Sequence, residues 1–475
     1  MRTRIVSAAL AAALAAAPAQ GASPATPQEA PPAAAPPQES SPAAPPQEAP
    51  PAPPPQAGAP KDEQEPAASR SELRALAEEI RRLKLEIGLR DVEYKPFAGM
   101  GPAASKVYYA PKGLSIGGYG EVFYRNQLGK TGSDVCATSS SACDFTDILR
   151  VVVYTGYRFG EKVVFNSEVE FEHQRQVFVE FAYLDFLLSG PLKLRIGNVL
   201  VPVGITNELH EPVFFNGVER PEVERNVIPT TWNENGIGLH GELLPGLAYK
   251  VYALQGLSVA REKPSAGSWV RNLRTRGGSV GSGADQRALA ETFAGVAALA
   301  YQRGPVSVGA SVYRGRAGQG QQVSAADARK IEADVTMLEA HAQVATRGAS
   351  LKALAVQGTM TDADLVNARW ALTGRDGLGS RVRGAYAEAA FDVMSLFGNE
   401  NQLVPFLRYE LLKLHDQVPA GTTANPANDV DLVVAGVTYK PLPTVALKAD
   451  GTWRKTGAAN NAVQRAVNVG AAFVF

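Results

Sequence analysis

The sequence predicts an all-β protein, a transmembrane antiparallel barrel of about sixteen strands. From about Gly113 onward, apolar and polar residues alternate with a period of two. The connections between the alternating segments are by turns short and long. Beyond the N-terminus, no apolar run approaches the roughly 20 residues of a spanning helix. That removes α-helical membrane proteins but leaves strands, in which only every second residue must be apolar.

In chain order, the first expected element is an export signal over residues 1–19. Arg2 and Arg4 precede an apolar run from Ile5 to Ala17, and Ala17-Pro18-Ala19 offers a small-residue cleavage site. No cysteine lies near that site, so no lipid anchor is expected. Residues 20–68 are dominated by Pro, Ala, Gln and Glu, with Pro27-Gln28-Glu29, Pro37-Gln38-Glu39 and Pro46-Gln47-Glu48 as near repeats. Such a segment buries no core and reads as a disordered, semi-rigid periplasmic tether of roughly 3.1 Å per residue. Reach is its simplest role; docking to peptidoglycan or a periplasmic protein is the sharper one.

Residues 69–90 read as a short coiled-coil helix. Ser69 and Glu72 form a capping-box pattern, and Leu73, Leu76, Ile80, Leu83 and Ile87 form a heptad seam that Gly88 ends. Leu or Ile at a with Leu at d favours dimers in isolated coils. So short a coil is expected to follow the barrel's own assembly, and packing on its own chain is the alternative. Residues 91–112 form a linker.

The barrel domain covers 113–475. In the segment 162–172, Val163, Phe165, Val169 and Phe171 alternate with Asn166, Glu168, Glu170 and Glu172. Val445, Leu447 and Trp453 oppose Lys448, Asp450, Thr452 and Arg454 in the same way. Short connections are expected near 159–162, 189–191, 244–246, 303–305, 347–349 and 440–443, and long ones near 128–144, 201–235, 257–290, 362–381 and 417–428. This asymmetry suits an outer-membrane barrel with its short turns in the periplasm. Segments 288–302 and 349–361 alternate poorly.

Composition narrows the function. Forty-seven basic residues balance 47 acidic ones, so the basic footprint of nucleic-acid binding is absent. Two cysteines make thiolate metal centres and a disulfide scaffold poor readings. Cys136 and Cys143 are expected to staple one exposed polar loop, with two separate thiols as the alternative. Five scattered histidines show no ligand spacing, so neither a metal nor a cofactor is expected. Gly129-Lys130-Thr131 fails as a P-loop because Tyr124 stands where the first glycine belongs. No nucleophile–base arrangement suggests an enzyme.

Polarity concentrates on the inferred lumen face. Glu168, Glu170 and Glu172 recur about 6.7 Å apart along one wall, with Glu180, Arg150, Lys193 and Arg195 nearby. These seven are the candidate pore-lining residues, facing water or one another. A ring of mutually neutralising charges is the competing reading. The connection 201–235 carries Phe214, Phe215, Trp232 and several prolines, unlike a floppy loop. It is expected to fold inward as a constriction, with Glu208, His210, Glu211, Glu219, Arg220, Glu222, Glu224 and Arg225 as candidates, or to latch onto a neighbouring subunit.

Several short blocks together resemble the Gram-negative outer-membrane porins grouped with the phosphate-selective porins O and P. They are Gly118-Tyr119-Gly120-Glu121, Val179-Glu180, Tyr183-Leu184-Asp185, Arg195-Ile196-Gly197-Asn198 and Pro202-Val203-Gly204, then His210-Glu211-Pro212, Arg220-Pro221 and the run 229–236. The resemblance implies a sixteen-stranded barrel in outer-membrane lipid, usually a homotrimer, passing small solutes passively. It also implies delivery to the barrel-assembly machinery through a C-terminal aromatic such as Phe475. Because the loop's candidates are mostly acidic, the expected preference is weakly for cations or absent. Phosphate or anion selectivity is one alternative; a barrel anchoring the membrane to the cell wall is another.

Overall fold

A computed structural model describes residues 95–129, 143–260, 262–274, 287–458 and 463–475, together with Arg74, Glu78 and Glu79, which are helical and exposed. The chain divides into two units, Met1–Ser69 and Arg70–Phe475, and all described residues belong to the second. The export signal, the tether, Cys136 and the seam residues Leu73, Leu76, Ile80, Leu83 and Ile87 lie outside the described residues. Cys143 is disulfide-bonded.

The described residues form sixteen antiparallel strands in one closed barrel, each paired with its sequence neighbours and the last with the first. The first half comprises β1 (Gly113–Leu128), β2 (Phe145–Arg158), β3 (Val163–Glu172), β4 (Gln176–Leu187), β5 (Lys193–Leu200), β6 (Asn233–Leu244), β7 (Leu247–Gln255) and β8 (Phe293–Arg303). The second comprises β9 (Val306–Arg316), β10 (Asp334–Ala345), β11 (Ala349–Met360), β12 (Arg381–Phe391), β13 (Gln402–Gln417), β14 (Asp429–Leu442), β15 (Val445–Thr456) and β16 (Val463–Val474). The poorly alternating segments near 288–302 and 349–361 are strands β8 and β11.

Alternation decides which face each side chain takes. On β1, Leu114, Ile116 and Val122 are exposed, whereas Tyr119, Glu121 and Phe123 are buried. Exposed Val151, Phe171, Ile196, Ile237, Val251, Leu299, Val308, Leu351, Leu407, Leu447 and Val467 continue that belt around the barrel. So continuous an apolar surface is unfavourable in water and favourable in lipid. Exposed Tyr157, Phe159, Tyr301 and Phe391 sit toward the short-turn rim, and Tyr124, Phe145, Phe293 and Trp453 toward the other, as interfacial aromatic girdles do.

The seam explains two glycines. Gly118 and Gly120 point outward on β1, and a Cβ there would stand 2.7 Å from the Phe475 ring and 2.6 Å from the Phe473 ring. The two rings stack with centroids 6.4 Å apart. Gly118 and Phe475 exchange both backbone hydrogen bonds, at 3.0 and 2.9 Å. The glycines thus make room for the aromatic clamp that closes the sheet.

A helix, α1 (Pro102–Tyr109), precedes β1 and packs inside the barrel near the short-turn rim. Val107 lies against Gly156 of β2, where a Cβ would stand 2.6 Å away. Further in, the Tyr108 hydroxyl donates to Asp185 at 2.7 Å, and Arg195 pairs with the same carboxylate at 2.8 Å.

Candidate functional site

Between β5 and β6 the chain runs from 201 to 232 without returning to the sheet, broken only by a 3-10 turn at Pro212–Phe214 and the short α2 (Val223–Asn226). Asn207 ties its two ends together: its side-chain amide donates to the carbonyls of Val201 (2.6 Å) and Trp232 (3.0 Å), and its oxygen accepts from the Trp232 N–H (2.6 Å). Trp232 is fully buried, its ring 4.6 Å from that of Tyr313. Because Lys250, which pairs with Glu208, lies near the short-turn end of β7, the loop must descend most of the lumen.

From there the loop crosses to the opposite wall. The N–H groups of Val218 and Val223 donate to Asp450 (2.6 Å) and Glu410 (3.0 Å). Lys448 donates to the carbonyls of Pro212 (2.6 Å) and Phe215 (2.9 Å). Asn216 donates to Glu388 at 3.0 Å. A buried backbone needs such partners, since an orphaned N–H or C=O costs about 1–3 kcal/mol. The inward-pointing charges of β12, β13 and β15 therefore hold the loop.

Of the two settings expected for the candidate pore-lining charges, water or one another, most of them adopt the second. Glu168, Glu170, Glu180, Arg150 and Arg195 do point inward, but all are buried. Loop and helix cover that wall, so the charges meet one another: Arg150 with Glu121 (2.8 Å) and Glu170 (3.5 Å), and Arg195 with Asp185. Glu172 and Lys193 are half-buried, and the Lys193 ammonium donates to the Gly190 carbonyl at 2.6 Å. Glu180 reaches the interior because β4 carries a bulge: Glu168 faces Phe181, the next pair is Val169–Val179, and Glu180 is the extra residue.

Between the loop and the β13–β16–β1 wall lies a cavity of about 390 Å³. Arg125, Arg220, Arg225, Arg408, Arg454 and Arg465 line it, against Glu219, Glu222 and Asp450. The expected acid-dominated constriction is therefore corrected here. Glu208 is paired with Lys250, and Glu211 is turned to α1, where it accepts from the Ala104 N–H at 3.0 Å. Burial pushes the Glu211 carboxyl up to about 7. Glu224 accepts from the N–H groups of Ile205 (2.8 Å) and Thr206 (2.7 Å) and from the Tyr386 hydroxyl (2.6 Å). Carboxylates seek donors, and for Glu208, Glu211 and Glu224 the donors lie away from the cavity, whereas Glu222 pairs with Arg454 on its wall. Glu219 does face the cavity. Burial opposes its ionisation, but Arg225 and Arg125 outweigh that and hold its carboxyl below the usual range.

Among known proteins, an uncharacterized protein of Aquifex aeolicus is 34% identical over 384 residues, which is 78% of this chain and 82% of its own. The chain belongs to the family of that protein. No family model matches the sequence. Among solved structures, Salmonella typhi OmpF in complex with daunomycin is 13% identical, with 76% of this chain and 97% of that one covered and a TM-score of 0.48. The outer membrane channel DcaP of Acinetobacter baumannii is 10% identical over the same shares, with a TM-score of 0.46.

Sequence reasoning missed a second inward segment. In the connection after β7, Trp269, Val270 and Leu273 are fully buried, and the Trp269 indole donates to the Gly379 carbonyl at 3.1 Å. Arg274 donates to the Thr230 carbonyl, which locks this segment onto the long loop. Its signal was an apolar trio inside a stretch otherwise rich in Gly, Ser and Arg. Spacing also gave no hint that Glu168, Glu180 and His210 meet: one donor atom from each lies within 4.8 Å of the others.

Proposed function

We propose that the protein is an outer-membrane diffusion channel for small hydrophilic solutes, working as a homotrimer and favouring anions over cations. A lipid-compatible exterior around a polar interior supports a channel, and the resemblance to porins supports the membrane and the assembly. One observation carries the selectivity: six arginines line the 390 Å³ cavity beside the loop against three lining carboxylates, and with Glu388 and Glu410 paired to Arg408 the balance is still one positive charge. Walls of low dielectric focus that excess, raising the local concentration of negative solutes and lowering that of positive ones. The weak cation preference expected from the loop's acidic candidates counted Glu208, Glu211 and Glu224, whose partners lie away from the cavity.

Planar-bilayer recording tests the reading. Purified protein in a KCl gradient should give stepwise openings and a reversal potential displaced toward chloride. Openings that prefer potassium would defeat the selectivity, and no openings at all would defeat the channel.

A further inference from the structure

The geometry points to a divalent transition-metal site formed by Glu168, Glu180 and His210, which staples the long loop to the barrel wall. Glu168 comes from β3, Glu180 from the bulge of β4 and His210 from the loop, and all three are at most 1% exposed.

The imidazole's hydrogen bonds carry the inference. Nδ1 lies 2.9 Å from the Asn207 carbonyl oxygen, which can only accept, so Nδ1 bears the proton. In the neutral ring Nε2 is then a bare lone pair. It faces both oxygens of the Glu168 carboxylate at 3.1 Å, acceptor against acceptor. A cation between them removes the conflict. Two donors each about 2.1 Å from one ion stand about 3.0–3.4 Å apart, as His210 Nε2 and Glu168 do here, and a Glu180 oxygen lies within 4.8 Å of both. An Nδ1–H bonded to a backbone carbonyl is also how metal-bound histidines are oriented.

The three donors come from three separate elements, so one ion held by all of them would tie the loop to β3 and β4 at once. A second observation lies just across the β2–β3 ladder. Tyr154 is directly opposite Glu168, is 2% exposed, and its hydroxyl has no hydrogen-bond partner among the described residues. The Tyr119 hydroxyl lies 3.4 Å from Glu168, and its ring packs edge-on to His210 with centroids 5.9 Å apart. Either phenol can orient a water completing the coordination sphere. Two carboxylates with one imidazole select an ion such as Zn²⁺, Mn²⁺ or Co²⁺ over soft, thiolate-seeking ions.

The test uses the full chain refolded into detergent with EDTA, then with CoCl₂ or ZnCl₂, and desalted. We expect one metal per chain by elemental analysis, visible Co²⁺ d–d bands, and slower proteolysis of the loop in the metal-loaded sample. Glu180→Gln and His210→Gln should each weaken Co²⁺ binding at least ~10-fold, while Glu222→Gln leaves it unchanged. If either substitution prevents folding, the spectrum and stoichiometry of the unsubstituted chain still decide. Folded protein that retains no metal, or binding that survives both substitutions, overturns the site.

Discussion

Glu211 and Glu219 sit eight residues apart in one loop, yet they meet opposite environments: one is buried against a helix N-terminus, the other gripped by Arg125 and Arg225. A carboxylate's contribution to a pore depends on which donors reach it, so residue counts alone misjudge selectivity. Arg465 lines the cavity. Arg465→Glu should lower the chloride preference, read as a shift of reversal potential toward potassium at unchanged open probability. For Glu219, the folded-state carboxyl titrates below its unfolded value. Its contribution is thus present above about pH 4.5 and disappears only as pH falls through the depressed value. With Glu211 titrating near 7, the conductance change that belongs to Glu219 should appear only below about pH 4.5, as Arg125 and Arg225 are released. Asn207→Ala deletes three bonds at the loop's base. It should destabilise the closed loop by about 2 kcal/mol, seen as faster limited proteolysis between 201 and 232 in an intact barrel.

At the scale of elements, strands were legible wherever lipid and polar interior impose contrasting chemistry on successive residues. β3 shows this with Val, Phe and Glu in turn. β8 hides it, because Ala294, Ala298 and Ala300 on its inner face are small enough to read as apolar on both sides. The loop's existence was readable from its aromatics and prolines, but its path was not. Its anchors, Glu388, Glu410, Lys448 and Asp450, lie some 170 to 240 residues further along the chain, beyond the reach of any local pattern. The bulge that admits Glu180 leaves two inward residues side by side, which breaks the very alternation used to find strands. Helix α1 was passed over as linker because eight residues carry little periodicity. Its seat depends on Gly156. Gly156→Leu should displace it from the wall and raise single-channel conductance with the barrel still assembled; unchanged conductance would show that α1 does not limit flow.

For the whole molecule, the barrel is a ring whose joint is made by β1 and β16, with Tyr119 opposite Val474 and Gly120 opposite Phe473. Gly120→Leu should push the Phe473 ring off the joint. The expected result is less heat-modifiable, detergent-resistant barrel on electrophoresis at equal synthesis, recovered in part by adding Phe473→Ala. That joint joins residues roughly 337 to 355 positions apart, whereas every other strand meets a near neighbour in sequence. Nearest-neighbour hairpins can zip up as they emerge, but the final pairing waits on the whole ribbon and carries the largest entropy of closure. Until then the sheet is a curled strip with two bare margins, each able to recruit a stranger's strand. The meeting of the two ends is therefore expected to be the last and slowest step of folding, and pairing β1 with β16 covers both margins at once.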